Sequence, residues 1–227
     1  MAVLAIIPAR SGSKGLKDKN IKDLAGHPLI HYSICAALES KVFDEVMVST
    51  DSERYAEIAK ECGASVPFLR SEEMSSDTAT SWDMVEEVLT KYEEVGKHFD
   101  TVCLLQPTSP LRKAEDIISA YQIFKEKGAI AVVAVCEADH PPMSFGTIDS
   151  DGGLGHFINR DAVGRRQDYK TYYRINGAVY FVDVKSLRED HFIYKEKSYA
   201  YIMDRKRSID IDNEFDFQMT EFLIKNT

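Results

Sequence analysis

The 227-residue sequence has one tryptophan, seven prolines, six histidines and four cysteines, and these scarcities exclude several protein classes. The cysteines (Cys35, Cys62, Cys103, Cys136) stand far apart, with no CxxC pair and no histidine at metal-ligand spacing. Neither a zinc module nor a disulfide framework is expected, and reduced thiols in a cytoplasmic protein are. No apolar run approaches the roughly 18–20 residues of a membrane span. Residues 1–7 are apolar but lack the charged start and small-residue cleavage site of a leader. Positive charge is also in deficit: 28 Lys and Arg against 37 Asp and Glu give a formal net charge of −9. Such a chain repels polyanions, so neither nucleic acid nor membrane is an expected partner, and any bound anion needs a local basic patch. There is no internal repeat and no low-complexity linker. With 44% apolar residues the chain can bury one sizeable core, and a single domain over residues 1–227 is expected.

What is present is an alternation of strand-like and helix-like segments. "AVLAII" is a short continuous apolar run, as suits a strand buried on both faces. "HPLIHYSICAALES" follows with helical spacing of Leu29, Ile30, Ser33, Ile34, Ala37 and Leu38. "DEVMVSTD" reads as a strand and "SERYAEIAKECGA" as a helix closed by Gly63. "SWDMVEEVLTKYEEV" puts Trp82, Val85, Val88, Leu89 and Tyr92 on one helical face. "DTVCLLQP", "KAEDIISAYQIFKEKG" and "AIAVVAVCEA" continue strand, helix, strand. The pattern predicts an α/β fold with a mainly parallel, doubly wound sheet, whose ligands gather beyond the strands' carboxyl ends. At about residues 139–173 the period is lost, which predicts an irregular insertion. "NGAVYFVDV" and "SYAYIMD" return to strand character, and "RSIDIDNEFDFQMTEFLIKN" predicts a strand turning into a last helix.

The chemistry-bearing stretches lie just after predicted strands. "IIPARSGSKGLKDKN" places Arg10, Lys14, Lys17 and Lys19 around Gly12 and Gly15, after Pro8 ends a strand. Successive N–H groups of a glycine-rich loop can form an anion nest, and the cations add charge-assisted hydrogen bonds. The spacing fits neither a GxGxxG fingerprint nor a GxxxxGK[ST] loop, and a solvated basic loop reads the same residues equally well. "SSDTATS" can cap the helix after it through Asp77 or Ser81. "LLQPTSPLR" arrests a strand at Pro107 and Pro110, leaving Gln106, Thr108 and Ser109 in a rigid turn. "SIDIDNEFD" alternates with period two, so Asp210 and Asp212 share one face while Ile209 and Ile211 share the other, and Asp212 or Asn213 could cap the last helix.

Taken in order, "IPARSGSKGLKDKNIKDLAGHPLI", "VSTDSERYAEIAKECGA", "SSDTATS", "LLQPTSPLR", "YRINGAVYF" and "SIDID" closely resemble the acylneuraminate cytidylyltransferases, the CMP-sialic acid synthetases, over nearly the whole chain. The resemblance implies a Rossmann-like nucleotidyltransferase fold, with the insertion forming a dimerisation subdomain of a homodimer. It implies that Arg10, Ser13, Lys14, Lys19 and Asn20 bind CTP, with Lys14 and Lys19 stabilising the departing pyrophosphate. Arg70 and Ser81 would lie near the nucleotide. Gln106, Thr108 and Ser109 would take the sugar, and a guanidinium fork would match its carboxylate. Arg174 and Arg166 are the candidates for that fork, Arg165 being an equal local match to Arg166. Asn176 and Tyr180 would line the same pocket, and Phe192 would meet the N-acyl methyl. Relatives in the family often have an aromatic pair where this chain has His191–Phe192, which leaves the acyl group open. Asp210 and Asp212 beside a triphosphate would hold Mg²⁺, with Mn²⁺ as a substitute.

The expected reaction is attack of an anomeric hydroxyl of a nine-carbon 2-keto-3-deoxy sugar acid on the α-phosphorus of CTP. N-acetylneuraminic acid is the first candidate, and legionaminic or pseudaminic acid the alternative. CMP-KDO synthetases open with a loop closer to "IPARxxSTRLPGKPL", unlike the "GSKG…KN" here. A glycosyltransferase with "DID" as its metal motif, or a non-catalytic nucleotide binder, are more distant alternatives.

Overall fold

The computed structural model describes residues 1–12, 15–155, 157–158 and 170–226. Ser13, Lys14, Arg165 and Arg166 lie outside the described residues. A six-stranded sheet runs in the order β4-β1-β5-β7-β6-β8, with β1 at Val3–Pro8, β4 at Glu45–Ser49 and β5 at Thr101–Leu104. Strands β6 (Ala131–Glu137), β7 (Tyr173–Asp183) and β8 (Ser198–Ile202) complete it. All neighbouring pairs are parallel except those of β7, which is antiparallel to both β5 and β6. The mainly parallel sheet is therefore as expected, with one reversed strand at its centre. A short hairpin, β2 (Asp23–Leu24) with β3 (His27–Pro28), stands apart from the sheet.

Strand β1 shows why its sequence is apolar at every step. Val3, Ala5 and Ile7 face a core shared with helices α1 (Leu29–Ser40), α2 (Glu53–Glu61) and α4 (Ala114–Glu126). Leu4 and Ile6 face the opposite core, with α3 (Ser81–Glu94) and α5 (Val184–Glu189). Helices on both faces make every position of a central strand a core position. Helix α3 buries Val85, Val88, Leu89 and Tyr92 as its spacing predicts, with Met84 added and Trp82 half-buried. Helix α2 ends as predicted, with Gly63 in the left-handed region at φ 97°. Leu38 is the exception in α1: its position is 42% exposed rather than core.

The predicted strand over "SIDID" does not form, and the segment joins no sheet. Its alternation has another cause. Ile211 is buried with Leu24, Leu29 and Phe217 of helix α6 (Glu214–Lys225), where its burial contributes roughly 2 kcal/mol. The backbone N–H of Ile211 donates to the Thr108 carbonyl at 2.8 Å, one local contact in place of a ladder. The described part of the segment at 139–173 is irregular, with one short helical turn at Pro142–Ser144 and β7 beginning at Tyr173.

Candidate active site

Parallel strands β4, β1 and β5 end on the same edge, and the chain after β1 and after β5 turns directly into a cavity of about 610 Å³. Arg10, Lys19 and Asn20 reach it from the loop after β1, Arg70 from the stretch between α2 and α3, and Ser81 from the first position of α3. Gln106 and Thr108 enter from the turn after β5, and Asp210 and Asp212 close the far side. This edge is where an open α/β sheet leaves backbone ends and room for a ligand.

The loop after β1 packs closely against the carboxylate segment. A Cβ at Gly15 would lie 2.7 Å from the Asp212 carbonyl oxygen, so only glycine permits this approach. The Lys19 ammonium donates to the Ile211 carbonyl at 2.6 Å and stands 4.0 Å from an Asp212 oxygen. Asn20 donates from Nδ2 to the Arg10 carbonyl at 3.2 Å, which closes the loop at its base. The Arg10 guanidinium faces across the cavity to Asp77 at 3.0 Å and to the Ser75 and Ser76 carbonyls. Asp77 therefore pairs with Arg10 and does not cap α3. The cap is Thr80, which accepts from the Asp83 N–H while the Asp83 carboxylate accepts from the Thr80 N–H. A Thr-x-x-Asp box satisfies two orphan N–H groups where a lone Asp77 satisfies one, and the Ser81 hydroxyl is left to the cavity.

Arg70 is fixed through Ser49: Nε donates to Oγ at 3.0 Å and Nη2 to the carbonyl at 2.6 Å. Burial lowers its guanidinium to about 10, so it remains a cation at neutral pH. Asp210 has the opposite problem. Burial raises its carboxyl above the usual range, the Asp212 charge adds to this, and a hydrogen bond from Thr108 with the charges of Lys19 and Arg174 opposes it. Its Oδ1 is buried with no hydrogen-bond partner. Asp212 is exposed, because Asn213 takes the cap of α6.

The remaining sugar candidates stand elsewhere. Ser109 is fully buried, donating to the Asn176 carbonyl at 2.9 Å. Asn176, also buried, donates to Ser208 Oγ at 2.9 Å. Arg174 donates from Nη2 to the Ser208 carbonyl at 2.9 Å and opens on a second cavity beside Glu137, Phe215 and Met219. Together these three pin the segment that carries Asp210. Tyr180 is buried edge-on to Trp82 at 6.2 Å, and Phe192, 58% exposed, stands edge-on to Tyr194 at 5.8 Å. Among the described residues no helix is long and apolar enough to cross a membrane.

The sequence profile of the cytidylyltransferases matches residues 4–219. The chain belongs to the cytidylyltransferase family. It is 40% identical to the CMP-N,N'-diacetyllegionaminic acid synthase of Legionella pneumophila, over 99% of this chain and 97% of that one. It is 40% identical to an N-acylneuraminate cytidylyltransferase of Streptococcus agalactiae, over 96% of this chain but 52% of the relative, so it spans about half that relative's length. A pseudaminic acid cytidylyltransferase of Campylobacter jejuni is 35% identical over 99% of this chain and 97% of the relative. Among solved structures, a CMP:2-keto-3-deoxy-manno-octonic acid synthetase complexed with CTP superposes with a TM-score of 0.75, covering 100% of this chain and 99% of that one, at 16% identity. That likeness shows the nucleotidyltransferase fold. The family expectation from the sequence holds, and the protein is a cytidylyltransferase.

Proposed function

We propose that this cytidylyltransferase transfers the cytidylyl group of CTP to the anomeric hydroxyl of a nine-carbon 2-keto-3-deoxy sugar acid, N-acetylneuraminic acid first, and releases pyrophosphate. The observation that carries the reading is the convergence of Arg10, Lys19 and Arg70 on one cavity with the Asp210–Asp212 pair. Cations suit a triphosphate, and a carboxylate with an unpartnered buried oxygen suits a hard cation.

In the reaction, the hydroxyl oxygen bonds to the α-phosphorus as the bond to the bridging oxygen breaks and pyrophosphate leaves. Arg10 and Lys19 draw the leaving charge, with Ser13 and Lys14 of the same loop as further nucleotide ligands. Arg10 must exchange Asp77 for phosphate to do so. Asp210 and Asp212 would hold Mg²⁺, for which Mn²⁺ can substitute; their all-oxygen donor set fits it. When bound, that ion would neutralise phosphate charge and lower the pKa of the attacking hydroxyl. Gln106 and Thr108 offer an amide and a hydroxyl to the sugar and Phe192 an apolar face to its acyl group, while Arg166, and Arg174 once it exchanges the Ser208 carbonyl for the ligand, contact its carboxylate.

The chain works as a homodimer in this reading, through the segment at 139–173, where Phe145, Ile148 and Leu154 are more than 60% exposed. A cytoplasmic setting agrees with its four free cysteines. Legionaminic acid is the second reading, favoured by a relative of matching length. Pyrophosphate release with CTP and Mg²⁺, measured in parallel on N-acetylneuraminic, legionaminic, pseudaminic and KDO acids, tests both. Release that follows N-acetylneuraminic acid supports the first reading, and release that follows legionaminic acid supports the second. No release with any of them overturns the proposed acceptor class.

A further inference from the structure

The described residues of the loop that presents Arg10, Lys19 and Asn20 to the cavity have no regular structure beyond the short turn at Lys19–Ile21. A free loop of glycines and lysines samples many conformations, and ordering it on binding weakens whatever it binds. Two contacts from behind restrain this one. At its start, Ser11 donates its backbone N–H to one oxygen of Asp51 at 2.7 Å and its hydroxyl to the other at 2.6 Å. Burial pushes the Asp51 carboxyl up, but these hydrogen bonds outweigh it and hold the group ionised, below the usual range. At the loop's end, the Tyr55 hydroxyl donates to Asp18 Oδ1 at 2.9 Å. Asp18 has φ 52°, a left-handed conformation unfavourable for a side-chain-bearing residue, and it directly precedes the turn that carries Lys19 and Asn20. Tyr55 is itself buried in the core on helix α2. Neither Asp51 nor Tyr55 lines the cavity.

We propose that Asp51 and Tyr55 are positioning residues for the nucleotide: held on β4's end and on α2, they fix Ser11 and Asp18 so that the loop's cations are arranged for a triphosphate before it binds. This rests on the reading of the cavity as the CTP site. It adds that affinity for CTP depends on two side chains that do not touch it.

The test measures CTP binding by calorimetry without sugar, both Michaelis constants, kcat and the melting temperature. Asp51→Asn keeps the size, removes the charge and one acceptor oxygen, and leaves the Ser11 hydroxyl bonded only if it turns to accept from the amide. Tyr55→Phe keeps the ring in the core and removes only the donor. The expected result is a CTP Kd and KM raised roughly tenfold by Asp51→Asn and several-fold by Tyr55→Phe, with the sugar KM and kcat nearly unchanged. Equal losses for both substrates, or unchanged CTP binding in both variants, would overturn the proposal. Should Asp51→Asn fold poorly, Ser11→Ala removes the hydroxyl's bond from the loop side and leaves that of the backbone N–H. A Ser11→Ala/Asp51→Asn pair whose effects simply add would also overturn it. Wild-type protein that fails to bind CTP defeats the reading of the cavity itself. Wild type that binds while the variants bind equally well defeats only the positioning role.

Discussion

The two halves of the sheet prepare their polar groups in different ways. On the β4–β1–β5 side, Arg10, Lys19, Asn20 and Arg70 line the cavity directly, on stretches that leave the strands' carboxyl ends. On the β7 side, Ser109 and Asn176 are buried with their side chains already engaged, and Arg174 is bonded to Ser208. The first half lines a cavity. The second is a frame whose outcome is the placement of Asp210. The comparison teaches that an Asn or Ser in a motif can serve a site by holding its neighbour still.

The sharpest way to break the contrast is at Asp210, where frame and cavity meet. Asp210→Asn should lower turnover by roughly two orders of magnitude or more. Its effect on stability has the opposite sign from that of most carboxylate losses. Burial raises the folded pKa above the unfolded value, so ionised Asp210 costs stability above that pKa, and the cost fades as pH falls through it. Asparagine removes the cost, and the variant should melt no lower than wild type above neutral pH. Thermal melts beside pyrophosphate assays check both halves of this; near-normal turnover would remove Asp210 from the metal site.

Arg174 separates the two descriptions of the second half. Arg174→Ala should raise the sugar KM roughly tenfold while leaving the CTP KM nearly unchanged. Steady-state kinetics with each substrate varied would show it. A fall in kcat with both Michaelis constants unchanged would make Arg174 purely a brace for Ser208, with no part in holding the sugar.

The smallest effect is expected at Thr108, whose hydroxyl favours the ionised form of Asp210. Thr108→Val keeps the shape and leaves the backbone contact to Ile211 in place. Losing the hydroxyl should raise the Asp210 pKa further, moving the acid limb of the kcat profile to higher pH. An unmoved limb would show that another group sets it.

Much of this was legible in the sequence, for local reasons. Strands β1, β4, β5 and β6 are buried on both faces or nearly so, which forces continuous apolar runs, and Gly63 and Gly128 mark helix ends by their positive φ. The reversed position of β7 was not legible, because strand pairing is a contact between segments about 80 residues apart and leaves no local period. Alternation in "SIDID" was legible but ambiguous. Period two reports two unlike environments, here the cavity and the Leu24–Leu29–Phe217 cluster, and does not require a ladder. Asp77 was one of two caps the sequence left open, and its actual partner, Arg10, lies 67 residues away, beyond any local pattern. Ser109 and Asn176 have the donors of ligand-binding residues, and sequence cannot tell a donor aimed at a ligand from one that satisfies buried backbone. Asp51 and Tyr55 carried no cavity signal at all, since they act through a loop they touch from outside.

The reversed central strand also sets the order in which this protein can be made. β5 is complete at Leu104 and β6 at Glu137, yet the strand that joins them ends only at Asp183. Until then β5 carries one unpaired edge and β6 two, since both neighbours of β6 are made later, and unpaired edges are templates for aggregation. Only β7 joins the two halves of the sheet, and β8 covers the outer side of β6 later still, so a ribosome that pauses between residues 137 and 183 holds a sheet that is open at its middle.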